Sequence, residues 1–68
     1  MKAGDIVQYI NPKAFEREWK DCFGVVVNIT TDDGEEYAKV RLHTVNLSAN
    51  TIIHRNTSCY SHRFRVIK

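Results

Sequence analysis

From Tyr37 to its end the chain contains no aspartate or glutamate. Lys39, Arg41, Arg55, Arg63, Arg65 and Lys68 all lie in that stretch, with His43, His54 and His62. The acids are confined to residues 1–36, where Lys2, Lys13, Arg17 and Lys20 oppose them. The net charge of +2 hides this division. An acid-free stretch points to an electropositive surface if the fold gathers its side chains; a sheet that interleaves the two halves would mix the charges instead. Other shortages are equally informative. One proline and three glycines in 68 residues leave no linker and no low-complexity tract, so residues 1–68 read as one domain. No apolar run approaches the ~18 residues of a membrane span, and no membrane association is expected. No glycine-rich phosphate loop is present. A chain this short has little core to spare, so it is expected to bind through its surface and not to catalyse, with no cofactor and no small-molecule substrate.

Cysteine is scarce. Met1-Lys2-Ala3-Gly4-Asp5 leads straight into a strand-like stretch, without the apolar run and cleavage site of a secretory signal. Cys22 and Cys59 are therefore expected as reduced thiols in a cytoplasmic protein, and the Asn-x-Ser/Thr triplets at Asn28, Asn46 and Asn56 as chance matches. Cys59-Tyr60-Ser61-His62 has a Cys-x-x-His spacing, and Cys22, His43 and His54 add ligand types. A zinc knuckle needs a second close pair, which Cys22 lacks, so no metal is expected; Cys22 reads as a small buried hydrophobe and Cys59 as a loop thiol. No acid or nucleophile signature surrounds either cysteine.

The residues that are present read mostly as strands. Asp5 to Tyr9 forms a first strand, broken by Asn11-Pro12. Pro12 to Lys20 suits a short helix, with Phe15 and Trp19 on one face and Glu16, Arg17, Glu18 and Lys20 in water. Cys22 to Thr30 is rich in β-branched residues. Thr31-Asp32-Asp33-Gly34-Glu35-Glu36 is a polar turn, with an Asp-Gly pair that tolerates positive φ, and it returns the chain through Tyr37 to Thr44, where Ala38, Val40, Leu42 and Thr44 alternate with Tyr37, Lys39, Arg41 and His43. Leu47 tucks inward from a polar loop, Thr51 to Arg55 forms a fourth strand, Asn56-Thr57-Ser58 turns, and His62 to Ile67 closes the series. Val25, Val27, Ile29, Val40, Leu42, Ile52, Phe64 and Val66 are the expected core.

Five short strands with a long excursion after the first predict an all-β fold, a small closed five-stranded barrel with one short helix or helical turn after strand 1, and the strand spacing resembles that of an SH3-like barrel. Gly4-Asp5-Ile6-Val7 and Lys20-Asp21-Cys22-Phe23-Gly24-Val25-Val26-Val27-Asn28-Ile29 resemble the KOW motif of NusG-type transcription factors and some ribosomal proteins. Lys20, Gly24, Val26 and Ile29 fall at matching places, and Asp21 stands where that motif has glycine. The resemblance implies a barrel and a nucleic-acid or ribonucleoprotein setting. Gly24 is expected at a bulge or a close backbone approach.

The basic residues carry the functional expectation. Tyr37, Lys39, Arg41, His43, Arg55, Arg63 and Arg65 are candidate nucleic-acid contacts, cations for phosphates and aromatics for stacking. The partner is then RNA or DNA, or a nucleic-acid-associated protein complex. The alternative is a protein-interaction adaptor or inhibitor working through Phe15, Trp19 and Phe23, unless Phe15 and Trp19 simply close one end of the core. So small a barrel beginning at Met1 suits a bacterial or bacteriophage accessory protein.

Overall fold

Five antiparallel strands form one sheet in the order β4-β3-β2-β1-β5. The structure is a computed structural model and describes residues 1–67. The strands are β1 (Ile6–Tyr9), β2 (Phe23–Asp32), β3 (Glu35–Asn46), β4 (Thr51–Tyr60) and β5 (Phe64–Val66). An arm joins β1 to β2 through 3-10 turns at Ala14–Trp19, and a second 3-10 turn, Ser61–Arg63, joins β4 to β5. The sheet is not closed into a barrel. β4 and β5 are its two edges, and among the described residues they do not pair. β5 is only three residues long and pairs with β1 alone. The arm, not a closing strand, covers the core.

The β2–β3 hairpin forms as its sequence dictates. Asp33 and Gly34 take φ values of 51° and 79°, the two positive angles that a two-residue hairpin turn requires, and Asp32 pairs with Glu35. β3 alternates as expected, with Ala38, Val40 and Leu42 buried and Lys39, Arg41 and His43 exposed. β2 does not alternate strictly. Val26 pairs with Val40 but Asn28 pairs with Lys39, so Val27 is an extra residue in a β-bulge. Val26 is therefore in the core, Val25 is only half-buried and Val27 is 50% exposed, which corrects the expected inward face. Ile29 returns inward after the bulge, and its N–H donates to its neighbour's Asn28 Oδ1 at 2.9 Å. Gly24 marks a close approach and not the bulge itself. A Cβ there would lie 2.7 Å from the Arg41 carbonyl oxygen.

The core is Val7, Tyr9, Trp19, Val26, Ala38, Val40, Leu42, Cys59 and Phe64, with Ile29, Val66 and Cys22 partly buried against it. The Tyr9 and Phe64 rings stack at 4.8 Å. The two cysteines thus exchange their expected places, Cys59 being buried on β4 and Cys22 half-buried. Ile52, expected inside, is 61% exposed, and Leu47, expected to tuck inward, is 87% exposed, because the β3–β4 hairpin projects past the core. Asn56-Thr57-Ser58 is not a turn but the middle of β4, and the last strand begins at Phe64.

The arm shows the largest difference from expectation. It is not one α-helix: Glu16 has φ −119° and ψ 20°, which breaks the helical path. Phe15 and Trp19 consequently do not share a face, and Trp19 is buried while Phe15 is 70% exposed. Glu16, expected in water, is 1% exposed. Tyr9 Oη donates to its Oε1 at 2.7 Å and Thr57 Oγ1 donates to the same oxygen at 2.8 Å. Arg55 Nε donates to Oε2 at 2.7 Å, and Lys13 Nζ stands 3.8 Å from Oε1. Burial alone would push this carboxyl up. The hydrogen bonds from Arg55, Tyr9 and Thr57 and the Lys13 charge outweigh it and hold the group below the usual carboxylate range. Burial also pushes the Tyr9 phenol up, so it remains a donor.

Two expectations follow for stability. Val26→Ala and Val40→Ala should each cost about 1–3 kcal/mol in urea titrations, while Val27→Ala should stay within about 0.5 kcal/mol of wild type. A carboxyl held below its unfolded value of about 4.3 contributes fully above that pH, and its contribution is lost as pH falls through the folded value. Glu16→Gln is therefore expected to lie on the order of 2 kcal/mol below wild type at pH 7, with the gap narrowing below about pH 4.5. A gap that stays constant down to pH 3 would contradict this account.

Candidate functional site

The face of the sheet turned away from the arm is built by strand parity. Register places Arg65, Gln8, Phe23, His43 and His54 in one row across all five strands. The next row holds Ile6, Val25, Arg41 and Asn56, and further rows set Lys39 opposite Ser58 and Tyr37 opposite Tyr60. Lys39, Arg41, His43 and His54 are exposed together on β3 and β4. Among the described residues neither Lys39 nor Arg41 has an ion-pair partner. At the hairpin end of this face stands a column of rings. Tyr37 stacks on Tyr60 with centroids 4.8 Å apart, and Tyr60 on His62 at 5.4 Å and an interplanar angle of 9°. Hydrogen bonding to Tyr60, then burial and the charges of Asp32 and Glu35, push the Tyr37 phenol up to about 12, so it is neutral at physiological pH. The His43 and His54 rings meet edge to face at 6.2 Å.

The expected contact residues divide. Tyr37, Lys39, Arg41 and His43 share this face. Arg65 lies on it too, but at the opposite edge, where its guanidinium donates to Gln8 Oε1. Arg55 and Arg63 do not join them. Arg55 projects to the arm side and pairs with Glu16, and Arg63 donates to the Asn11 carbonyl at 2.9 Å. Both tie down the arm. β1 and β2 lie between the basic strands β3–β4 and β5, so the acid-free half does not form one uninterrupted field. His54, Tyr60 and His62 lie on this face as well, and the parity of a continuous β4 is the signal that places His54 and Tyr60 there.

Phe15, Trp19 and Phe23 do not form one surface. Trp19 is in the core, Phe15 lies on the arm and Phe23 is on the outer face. A shallow groove runs beside Phe23, lined by Lys20, Asp21, Cys22, His43, Val45 and Leu47. Among the described residues no group of three or more His, Cys, Asp or Glu side chains is placed to hold a metal. Cys59 faces the core while His62 stacks on Tyr60, so the Cys-x-x-His pair points to opposite sides. No helix is long and apolar enough to cross a membrane among the described residues.

Burial pushes the Cys59 thiol up, so a thiol reagent should modify Cys22 first and Cys59 only at the rate of unfolding. A chelator should leave the melting temperature unchanged. No known protein family, curated protein sequence or solved structure matches this chain.

Proposed function

We propose that this protein is a non-catalytic binding module that engages nucleic acid through the outer face of its sheet. The observation that carries the reading is the juxtaposition of two unpaired cations, Lys39 and Arg41, with the stacked rings of Tyr37, Tyr60 and His62. Cations supply phosphate contacts and neutral aromatic rings supply stacking surface for unpaired bases. The β3–β4 surface presents no helix to a major groove, so sequence preference is weak and single strands are favoured over duplex.

An SH3-like layout and the KOW-type resemblance belong to the same proposal. Two observations support them. The order of pairing, with β1 between β2 and β5 and a 3-10 turn before β5, follows the layout of an SH3-like chain left open at one seam. Asp21, standing where the KOW pattern has glycine, has φ 67°, the left-handed conformation that glycine favours. In this reading the partner is RNA or DNA, alone or within a ribonucleoprotein or transcription complex in the cytoplasm. The adaptor reading retains two favourable observations, the exposed rings of Phe15 and Phe23.

Titration of labelled oligonucleotides at several salt concentrations tests the proposal. With Lys39, Arg41 and Arg65 on phosphates, the log–log slope on a single strand is expected near −2, and Arg41→Ala should make it shallower by roughly 0.7. Arg55→Ala should leave the slope unchanged. Tyr60→Ala should cost about 1–3 kcal/mol on single strands and much less on duplex. Absence of binding even at low salt would reject the proposal and favour the adaptor.

A further inference from the structure

The two edges of the sheet are unequal. β5 offers three residues, whereas β4 offers ten, Thr51–Tyr60, with no proline, lysine or acid to blunt an exposed edge. The arm caps part of it: Lys13 Nζ donates to the Ser58 carbonyl at 3.2 Å. Backbone groups alternate sides along an antiparallel strand. The outward Ser58 carbonyl therefore places the N–H and C=O groups of Ile52, His54 and Asn56 on the same outer edge. Among the described residues none of these groups has a backbone partner beyond β3.

Apolar side chains flank both ends of this open segment. At one end the projecting hairpin exposes Val45 (59%), Leu47 (87%), Ile52 (61%) and Ile53 (41%). Val45 and Ile52 pair on the outer face, and Ile53 lies on the inner face opposite Thr44. At the other end is Phe15, whose ring centroid is 5.1 Å from the same Lys13 Nζ that meets Ser58.

We infer that the occupant of this edge is a second copy of the chain, its β4 antiparallel to the first about a two-fold axis at His54. That axis pairs each open donor with an acceptor, since Ile52 of one copy faces Asn56 of the other. It also brings the Phe15 end of each copy to the Leu47–Ile53 end of its partner, so the contact is self-complementary and closes at two copies. Val45 and Ile52 stay on the shared outer face, so with Leu47, Ile53 and Phe15 and the backbone strip covered a pair buries on the order of 1,000 Å² at most, about the lower limit of a specific interface. The dimer therefore dissociates on dilution. It joins the two outer faces into one ten-stranded surface, and it does not depend on what that surface binds.

Sedimentation velocity on the full chain, from roughly 5 μM to 1 mM, tests this directly. A monomer is expected at the lowest concentration and a dimer at the highest, with no larger species. Leu47→Lys and Phe15→Ser, both at exposed positions, should each raise the dimer dissociation constant at least about tenfold while the diluted protein keeps its melting temperature. Asn56→Pro removes an outward N–H and should abolish the dimer; circular dichroism checks its fold, and Leu47→Lys decides the matter if that variant unfolds. Ile10→Ser, exposed but off this edge, is the control and should change nothing. A wild type that remains monomeric at 1 mM, a species that grows past the dimer, or a dimer indifferent to Leu47→Lys would each overturn the inference.

Discussion

A carboxylate taken out of water must be given back its hydrogen bonds, and the placement of Glu16 sets most of this architecture. Its two oxygens gather Tyr9 from β1 and Thr57 and Arg55 from β4, two strands that are not neighbours in the sheet. That one group ties the first strand, the arm and an edge strand together. Trp19 follows three residues later and fills the core from the same arm. The arrangement is costly to break, because removing one partner strands a buried charge. It also explains why the sheet needs no closure: the arm supplies the cover that a pairing of β4 with β5 would have supplied.

The two faces of the sheet divide the cations by use. On the arm side, Arg55 and Arg63 are committed to Glu16 and to the Asn11 carbonyl. On the outer side, Lys39 and Arg41 remain available beside a column of rings. Substitutions of the same residue type therefore act on different quantities, fold stability on one side and recognition on the other. The acidic hairpin tip, Asp32 to Glu36, limits the basic surface at one end, and the apolar β3–β4 tip limits it at the other.

The features that sequence reveals are those fixed by neighbours along the chain. Asp33-Gly34 dictates its turn, and the alternation of Ala38, Val40 and Leu42 with Lys39, Arg41 and His43 dictates which way β3 faces. Four of the candidate contacts were legible for that reason, since they sit on one regular strand. The bulge at Val27 was not legible, because one extra residue inverts parity without a distinctive residue type. Thr57 read as part of a turn because its neighbours are polar, yet its hydroxyl is needed inside. Glu16 read as solvated among other charges. Both depend on a partner far away in the chain, as does the diversion of Arg55 and Arg63 from the basic face.

That distance has a consequence for how the molecule is made. Glu16 precedes Thr57 by 41 residues and Arg55 by 39. On the ribosome the arm emerges well before the strand that completes its carboxylate shell. Until β4 arrives, Glu16 keeps its solvating water and the arm has no reason to settle. The β2–β3 hairpin, joined by two residues, can form in microseconds without waiting. Assembly is therefore expected to start in the middle of the chain and work outward, with the N-terminal strand and its arm waiting on the C-terminal third.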